Sequence, residues 1–218
     1  MAGGAQGQRE EQQPQQLVGE GVAKPPPQLR IVLQNVTASV NMGIRVDCAS
    51  LAYRVKNAEY NHKKLPACVM RIREPKATGL VFASGKVVVT GATGVQAARI
   101  AAKKFVGVVD SLSSNATVLN FTVQNMVATV ETGFPINLEL LAYSQARQEI
   151  WCMYEPELFP GVIYQTARQG LVAHIFSSGR VVLTGAKTEE HLNEALPHLL
   201  PILQQYRQQD ALPPTLSG

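Results

Sequence analysis

The sequence predicts an α+β protein made of two similar halves, each combining an antiparallel sheet with two helices. Three observations lead to this fold class. Long segments recur once along the chain, strand and helix patterns follow the same order in both copies, and several strands are apolar on both faces. A period of roughly 90 residues is too long for a solenoid, so the repeat predicts two domains of one kind related by a pseudo-twofold axis.

The internal repeat sets the domain boundaries. The matching segments are Gln34–Ala38 with Gln124–Ala128, Leu51–Tyr53 with Leu141–Tyr143, and Phe82–Ala92 with Phe176–Ala186. The offset changes from 90 to 94 residues, which predicts a loop insertion within Ser144–Met153. The first repeat is assigned to residues 29–115 and the second to residues 116–210.

The two ends of the chain lack this periodicity. Residues 1–28 are rich in Gln, Gly and Pro and are predicted to be a disordered tail. Residues 211–218 are predicted to be a frayed C-terminus.

Each repeat is predicted to begin with a strand and to end with a long helix. The predicted elements are strands Arg30–Val40, Cys68–Arg73, Gly79–Ala83, Lys86–Thr90 and Leu119–Val130, short helices Arg45–Tyr53 and Ile136–Tyr143, and long helices Val95–Leu112 and Glu189–Arg207. Gly85 suits a tight hairpin turn because glycine adopts positive φ. Pro197 and Pro201 are expected to bend or interrupt the last helix.

One face of the predicted sheet carries apolar side chains that the predicted helices do not cover. If the hairpin pairs around Gly85, then Leu80, Phe82, Val88 and Thr90 share the face away from the helices. An apolar surface of that extent indicates a binding site. The same pattern also fits ordinary core in a three-layer fold, and the residues alone leave both interpretations open.

Charge and composition exclude several classes of protein. The chain has 20 Lys+Arg and 16 Asp+Glu, but residues 30–115 hold 13 basic and 4 acidic residues while residues 116–218 hold 5 and 9. This asymmetry points to a polyanion or an acidic partner. No run approaches the roughly 18–20 apolar residues of a membrane span, and residues 1–27 lack the apolar core of a signal peptide. A soluble, intracellular protein is expected.

Catalytic and metal-binding motifs are also missing from the sequence. The three cysteines, Cys48, Cys68 and Cys152, form neither a disulfide framework nor a zinc pattern. The acids Asp47, Glu74 and Asp110 make no recognisable pair, so an enzyme with its site between the repeats has little support. The sequence predicts a protein that is not an enzyme and uses no metal or cofactor.

Longer motifs carry a resemblance that covers residues 29–207. They are Leu33–Val36, Lys56–Asn61, Met70–Lys76, Phe82–Lys86, Tyr154–Gly161 and Leu183–Lys187. On these residues the chain resembles the TATA-box-binding protein family, as a divergent member or a related factor. The resemblance implies a saddle-shaped fold: a curved ten-stranded antiparallel sheet with four helices on the convex face. It also implies a nuclear factor that binds and bends promoter DNA through the minor groove and assembles the preinitiation complex.

The resemblance also implies which residues contact DNA. Asn35 and Asn125 would bond to central base edges, and Leu65, Phe82, Phe159 and Phe176 would wedge between base steps. The implied DNA-binding set is Asn35, Thr37, Leu65, Pro66, Arg71, Arg73, Leu80, Phe82, Ser84, Lys86, Val88, Thr90, Asn125, Val127, Phe159, Pro160, His174, Phe176, Ser178, Arg180, Val182 and Thr184.

Four of the matched positions depart from the family pattern. Leu65 stands where the family has a fourth phenylalanine, which predicts a weaker kink at that end. Thr37 replaces a valine, and Gln165 replaces an arginine. His174 replaces an apolar residue, and its imidazole either bonds to a base acceptor or is simply tolerated at a partly solvated edge.

Partner surfaces follow from the same resemblance. Asn57, Glu59 and Tyr60 match the edge that meets transcription factor IIA, and Glu155, Glu157 and Leu158 match the loop that meets transcription factor IIB. Arg99, Lys103 and Lys104 match a helix surface used by several partners, among them TBP-associated factors.

A homodimer through the uncovered apolar face is a further possibility, and no membrane is implicated. The departures keep an alternative open: an adaptor of the same fold that has weakened or lost TATA binding and acts through protein partners.

Overall fold

The computed structural model describes residues 29–113, 115–146, 151–166 and 170–208. The predicted tail 1–28, the C-terminus 211–218 and residues 147–150 of the predicted insertion lie outside the described residues. Each repeat runs through the same order of elements. The first repeat contains β1 (Val32–Asn41), α1 (Cys48–Arg54), β2 (Ala58–Tyr60), β3 (Ala67–Arg73), β4 (Lys76–Phe82), β5 (Lys86–Ala92) and α2 (Val95–Ser113). The second contains β6 (Leu119–Glu131), α3 (Leu138–Ala146), β7 (Cys152–Met153), β8 (Gly161–Gln165), β9 (Val172–Phe176), β10 (Arg180–Ala186) and α4 (Glu189–Gln205).

All ten strands form one open antiparallel sheet in the order β2-β3-β4-β5-β1-β6-β10-β9-β8-β7. The order is symmetric about the β1–β6 pair, as a pseudo-twofold axis requires. Asn35 lies opposite Val127 there, and Thr37 lies opposite Asn125. The structure confirms the α+β fold that the repeat predicts, and its described residues contain the ten strands and four helices that the resemblance implies.

The helices cover only one face of the sheet. Alternate strand residues such as Val81, Val89 and Leu183 are fully buried and cluster with helix residues such as Phe105 and Leu199. The residues between them are half-buried. The helices begin with side-chain caps where the local sequence supplies them: Asp47 accepts from two N–H groups of α1, and Thr188 accepts from His191.

Of the bend or interruption expected at Pro197 and Pro201, the interruption is wrong, because α4 continues through both residues, while the bend stays a prediction. The two prolines are four residues apart, so they lie on one side of the helix, and both are exposed. Water can then satisfy the carbonyl groups that lose their N–H partners. No helix in the described part of the chain is long and apolar enough to cross a membrane.

Candidate nucleic-acid interface

The face of the sheet away from the helices, called the open face here, holds most of the side chains assigned to DNA. Its half-buried members are Asn35, Thr37, Val69, Thr78, Leu80, Phe82, Val88, Thr90, Asn125, Val127, Ile163, His174, Phe176, Val182 and Thr184. Strand alternation puts them on one side because the residues between them are buried beneath the helices. The described residues therefore form a two-layer fold, which excludes a third layer packed on this face within them.

Two asparagine amides sit at the centre of the open face, and each is fixed by a glycine. The Gly91 N–H donates to Asn35 Oδ1 at 2.7 Å, and the Gly185 N–H donates to Asn125 Oδ1 at 2.8 Å. Both glycines have φ values near the left-handed range, +90° and +102°. Because Oδ1 of each side chain accepts from a glycine N–H, the Nδ2 group is the part of each amide that is left to donate to other partners.

The surroundings of the two amides differ. Asn35 Nδ2 donates to Thr37 Oγ1 at 3.4 Å, and Thr90 Oγ1 donates back to Asn35 Oδ1 at 3.3 Å. Asn125 Nδ2 donates to Thr184 Oγ1 at 3.3 Å. Thr37 occupies the position that Val127 has in the other repeat, so this substitution adds a hydroxyl beside one amide.

A cluster of three rings lies at the second-repeat end of the open face. Phe159 meets Phe176 at 5.7 Å between ring centroids and meets His174 at 5.5 Å, both edge to face. Gly161 makes room for the neighbouring strand and for this cluster: a Cβ there would lie 2.9 Å from the Ile175 carbonyl oxygen, 3.0 Å from Phe159 Cε1 and 3.3 Å from Phe176 Cδ1. His174 Nδ1 is buried and has no hydrogen-bond partner in the described structure.

The first-repeat end has the same backbone but different side chains. The N–H of Leu65 donates to Asn61 O at 2.9 Å, and the N–H of Phe159 donates to Glu155 O at 2.9 Å. Leu65 thus occupies the same turn position as Phe159. Leu80 replaces His174, and Ala67 replaces Gly161. Phe82 is the one aromatic residue among these matched positions at this end.

The predicted phosphate contacts are exposed, and two of them are already paired. Arg71 Nη1 lies 3.0 Å from Glu59 Oε1, and Arg180 Nε lies 2.7 Å from Glu131 Oε1. The Ser84 and Ser178 hydroxyls accept from the backbone N–H of Lys86 and Arg180, so they also stabilise the hairpins. The remaining predicted positions at the rims, Arg73, Lys86, Pro66 and Pro160, are exposed, and so is Gln165.

The predicted partner surfaces divide into exposed and engaged side chains. Asn57, Glu155, Glu157 and Leu158 are exposed, and Leu158 is 81% accessible. Tyr60 is half-buried, and Glu59 pairs with Arg71. On α2, Arg99 stacks on Phe121 at 4.2 Å, and the Lys104 ammonium donates to the Glu74 carbonyl. Lys103 is exposed. Two of the three basic residues assigned to partners on α2 therefore also make contacts within the chain.

The described side chains contain no group of three or more His, Cys, Asp or Glu residues that could hold a metal ion. Burial raises the pKa of the Cys68 thiol to about 11 and raises the pKa of Cys48 and of Cys152, so these thiols are protonated at neutral pH.

Some residues that shape the open face are absent from the candidates that the sequence predicts. Gly91 and Gly185 could have been found, because Thr-Gly-Ala ends the longest repeated segment in both halves. Val69 and Ile163 lie opposite Leu80 and His174 on neighbouring strands. The contrast between Gly161 and Ala67 gains meaning only once the neighbouring rings are placed.

Comparison with known proteins agrees with this geometry. The family described as "Transcription factor TFIID (or TATA-binding protein, TBP)" matches residues 30–112 and again 120–206, one match for each repeat. The TATA-box-binding protein of Acanthamoeba castellanii is 46% identical over 175 residues, covering 80% of this chain and 67% of that protein. TATA-box-binding protein 1 of Triticum aestivum is 44% identical over 186 residues, covering 85% of this chain and 78% of that protein.

A solved structure shows the same arrangement of elements. The TBP of Methanococcus jannaschii superposes with a TM-score of 0.69 at 36% sequence identity, covering 80% of this chain and 98% of the other. The two family matches reach every element described above, leaving out only the last residue of α2 and the first residue of β6. This chain therefore belongs to the TATA-binding protein family.

Proposed function

We propose that this protein is a non-enzymatic transcription initiation factor that binds promoter DNA through the minor groove, bends it and recruits basal factors in the nucleus. The observation that carries the proposal is the centre of the open face: two amides, each locked by a glycine N–H, within a broad surface of apolar and hydroxyl side chains. A·T pairs present only acceptors in the minor groove, which suits the Nδ2 donors of Asn35 and Asn125.

The ends of the open face support bending. Proteins that bind the minor groove insert apolar side chains between base steps, and the kink lets the DNA wrap more of the protein surface. Phe159 and Phe176 are aromatic wedges placed side by side, whereas Leu65 and Phe82 offer one ring. The bend itself is what family membership implies. The unequal ends suggest that the kink is stronger at the second repeat.

The first test is titration of the full chain against a short A·T-only TATA duplex across a salt series, with bending followed by end-to-end fluorescence transfer. We expect salt-dependent binding accompanied by a rise in transfer, since phosphate contacts release counterions. Binding without a bend, or no binding, would contradict the proposal.

The second candidate function is an adaptor of the same fold that acts through protein partners. It is favoured by the ion pair of Arg180 with Glu131 and by the presence of Leu65 at the first-repeat wedge position. Proposed partners under either function are factors equivalent to transcription factors IIA and IIB, at the edge with Asn57 and Glu59 and at the loop with Glu155, Glu157 and Leu158. Retention of those partners by a chain that binds no DNA would favour the adaptor.

The Arg180–Glu131 pair gives a prediction about electrostatics. The carboxylate of Glu131 lies 2.7 Å from Arg180 Nε, so it offsets the charge that a phosphate would meet. Glu131→Gln is expected to tighten DNA binding about threefold at low salt, because an exposed pair of this kind is worth about 0.2–1 kcal/mol. The gain should shrink as salt rises.

Glu139→Gln is the matched control for this measurement. Glu139 is an exposed carboxylate in the first turn of α3, on the helix side of the sheet. Its removal changes the net charge equally but leaves Arg180 paired. Equal gains from both variants would show that net charge, rather than the pair, sets the affinity.

A further inference from the structure

His174 occupies a position on the open face where the structure leaves a polar atom unexplained. It lies on β9 between Ile163 of β8 and Val182 of β10, so both cross-strand neighbours are aliphatic. The Phe159 ring meets it edge to face at 5.5 Å. The side chain as a whole is half-buried, yet Nδ1 is buried and has no partner among the described residues.

This burial decides where a neutral imidazole keeps its proton. One ring nitrogen must be a donor and the other an acceptor. In folded proteins a buried N–H without a partner is rarer than a buried acceptor without one, so Nδ1 is assigned as the acceptor. The proton is therefore favoured on Nε2, the far end of the ring. His174 then presents a single N–H donor to whatever covers the open face.

We infer that His174 is a specificity-determining residue that requires an A·T pair beside the Phe159–Phe176 wedge; the inference rests on the proposed function. Covering the open face with DNA buries the Nε2 donor among apolar groups, so it needs an acceptor. Adenine N3 and thymine O2 supply one at either orientation of the pair, whereas guanine adds an N2 amino donor that opposes it. Leu80 holds the matching position in the first repeat and has no donor. Only the second-repeat end of the site therefore discriminates A·T from G·C through a side chain at this position.

The test uses palindromic duplexes, which make the orientation of the protein irrelevant. Three duplexes differ at both outer steps of the site: A·T, G·C, or inosine·C, which lacks only the N2 amino group of guanine. For the wild-type chain, the change to G·C should weaken binding about five- to tenfold more than it does for His174→Leu, which corresponds to one hydrogen bond. Inosine·C should restore binding close to that of A·T.

Two further variants keep the test independent of any single substitution. His174→Gln places an amide donor near the Nε2 position and should keep the discrimination against G·C. Leu80→His should add the same discrimination at the other end of the site. Equal discrimination by wild type and His174→Leu would overturn this inference alone. Failure of every variant and of the wild type to bind any duplex would overturn both this inference and the proposed function.

Discussion

Replacing Phe159 and Phe176 together with alanine is expected to weaken binding to a TATA duplex by about thirtyfold or more and to reduce the bend. Stacking of an aromatic ring on a base is worth about 1–3 kcal/mol by alanine substitution, and the two rings lie side by side at one end of the open face. Affinity and end-to-end fluorescence transfer measure the two effects. The fold should survive, because both side chains are half-buried and lie outside the core clusters.

Leu158→Ala is the control for the double variant. Leu158 precedes Phe159 in the same loop but is 81% exposed, so its loss should leave DNA affinity unchanged. A circular dichroism melt of each variant separates a loss of binding from a loss of fold. An intact double variant that still binds and bends the duplex as the wild type does would remove the wedge from the mechanism.

The unequal ends of the open face show what a single sequence can and cannot reveal. The repeat predicted both halves, and alternation placed Leu80, Phe82, Val88 and Thr90 on one face, as the structure confirms. Gly161 corresponds to Ala67 in the other repeat, and the sequence alone gives this difference between two small residues no meaning. Its effect depends on the distances from a Cβ to the Ile175 carbonyl oxygen and to two rings, and no sequence pattern encodes those distances.

Ion pairs between neighbouring strands could not be predicted from the sequence for a related reason. Glu131 ends β6 and Arg180 begins β10, and the antiparallel pairing of these strands makes them neighbours although 49 residues separate them. A pairing between strands this far apart in the chain is not encoded locally, so the sequence predicts Arg180 as a phosphate contact but not its carboxylate partner. At the other end of the same pairing, a register shift between Thr184 and Ala186 leaves Gly185 unpaired, and its N–H reaches Asn125.

The limits of helix prediction have a simpler origin. Within a helix, proline loses one backbone hydrogen bond and its ring clashes with the carbonyl group of the residue four positions earlier. Pro197 and Pro201 face solvent, where water can satisfy the freed carbonyl groups, while Leu192, Leu199 and Leu203 bury the opposite side of α4. Tertiary packing of that side outweighs the local penalty, since most helical stability in proteins comes from the buried face.

Replacing Gly179 with alanine is expected to be the most destabilising of the changes considered, with at least about 2 kcal/mol lost. Its φ of +89° alone costs an alanine about 1–2 kcal/mol, and the new Cβ would lie 2.1 Å from the Phe134 carbonyl oxygen, so the backbone must shift.

Two control variants separate the conformational cost from the cost of the contact. Gly170 has a φ of +64°, and a Cβ there would have no atom within 4 Å, so Gly170→Ala reports the conformational cost alone. Gly107 lies within α2, and a Cβ there would also have no atom within 4 Å, so Gly107→Ala should stabilise the helix. Urea unfolding followed by circular dichroism measures the free energy of unfolding of each variant. This free energy should be highest for Gly107→Ala, followed by the wild type and then Gly170→Ala, and lowest for Gly179→Ala. Equal losses for Gly170→Ala and Gly179→Ala would mean that the hairpin between β9 and β10 yields, and that the contact with Phe134 does not constrain it.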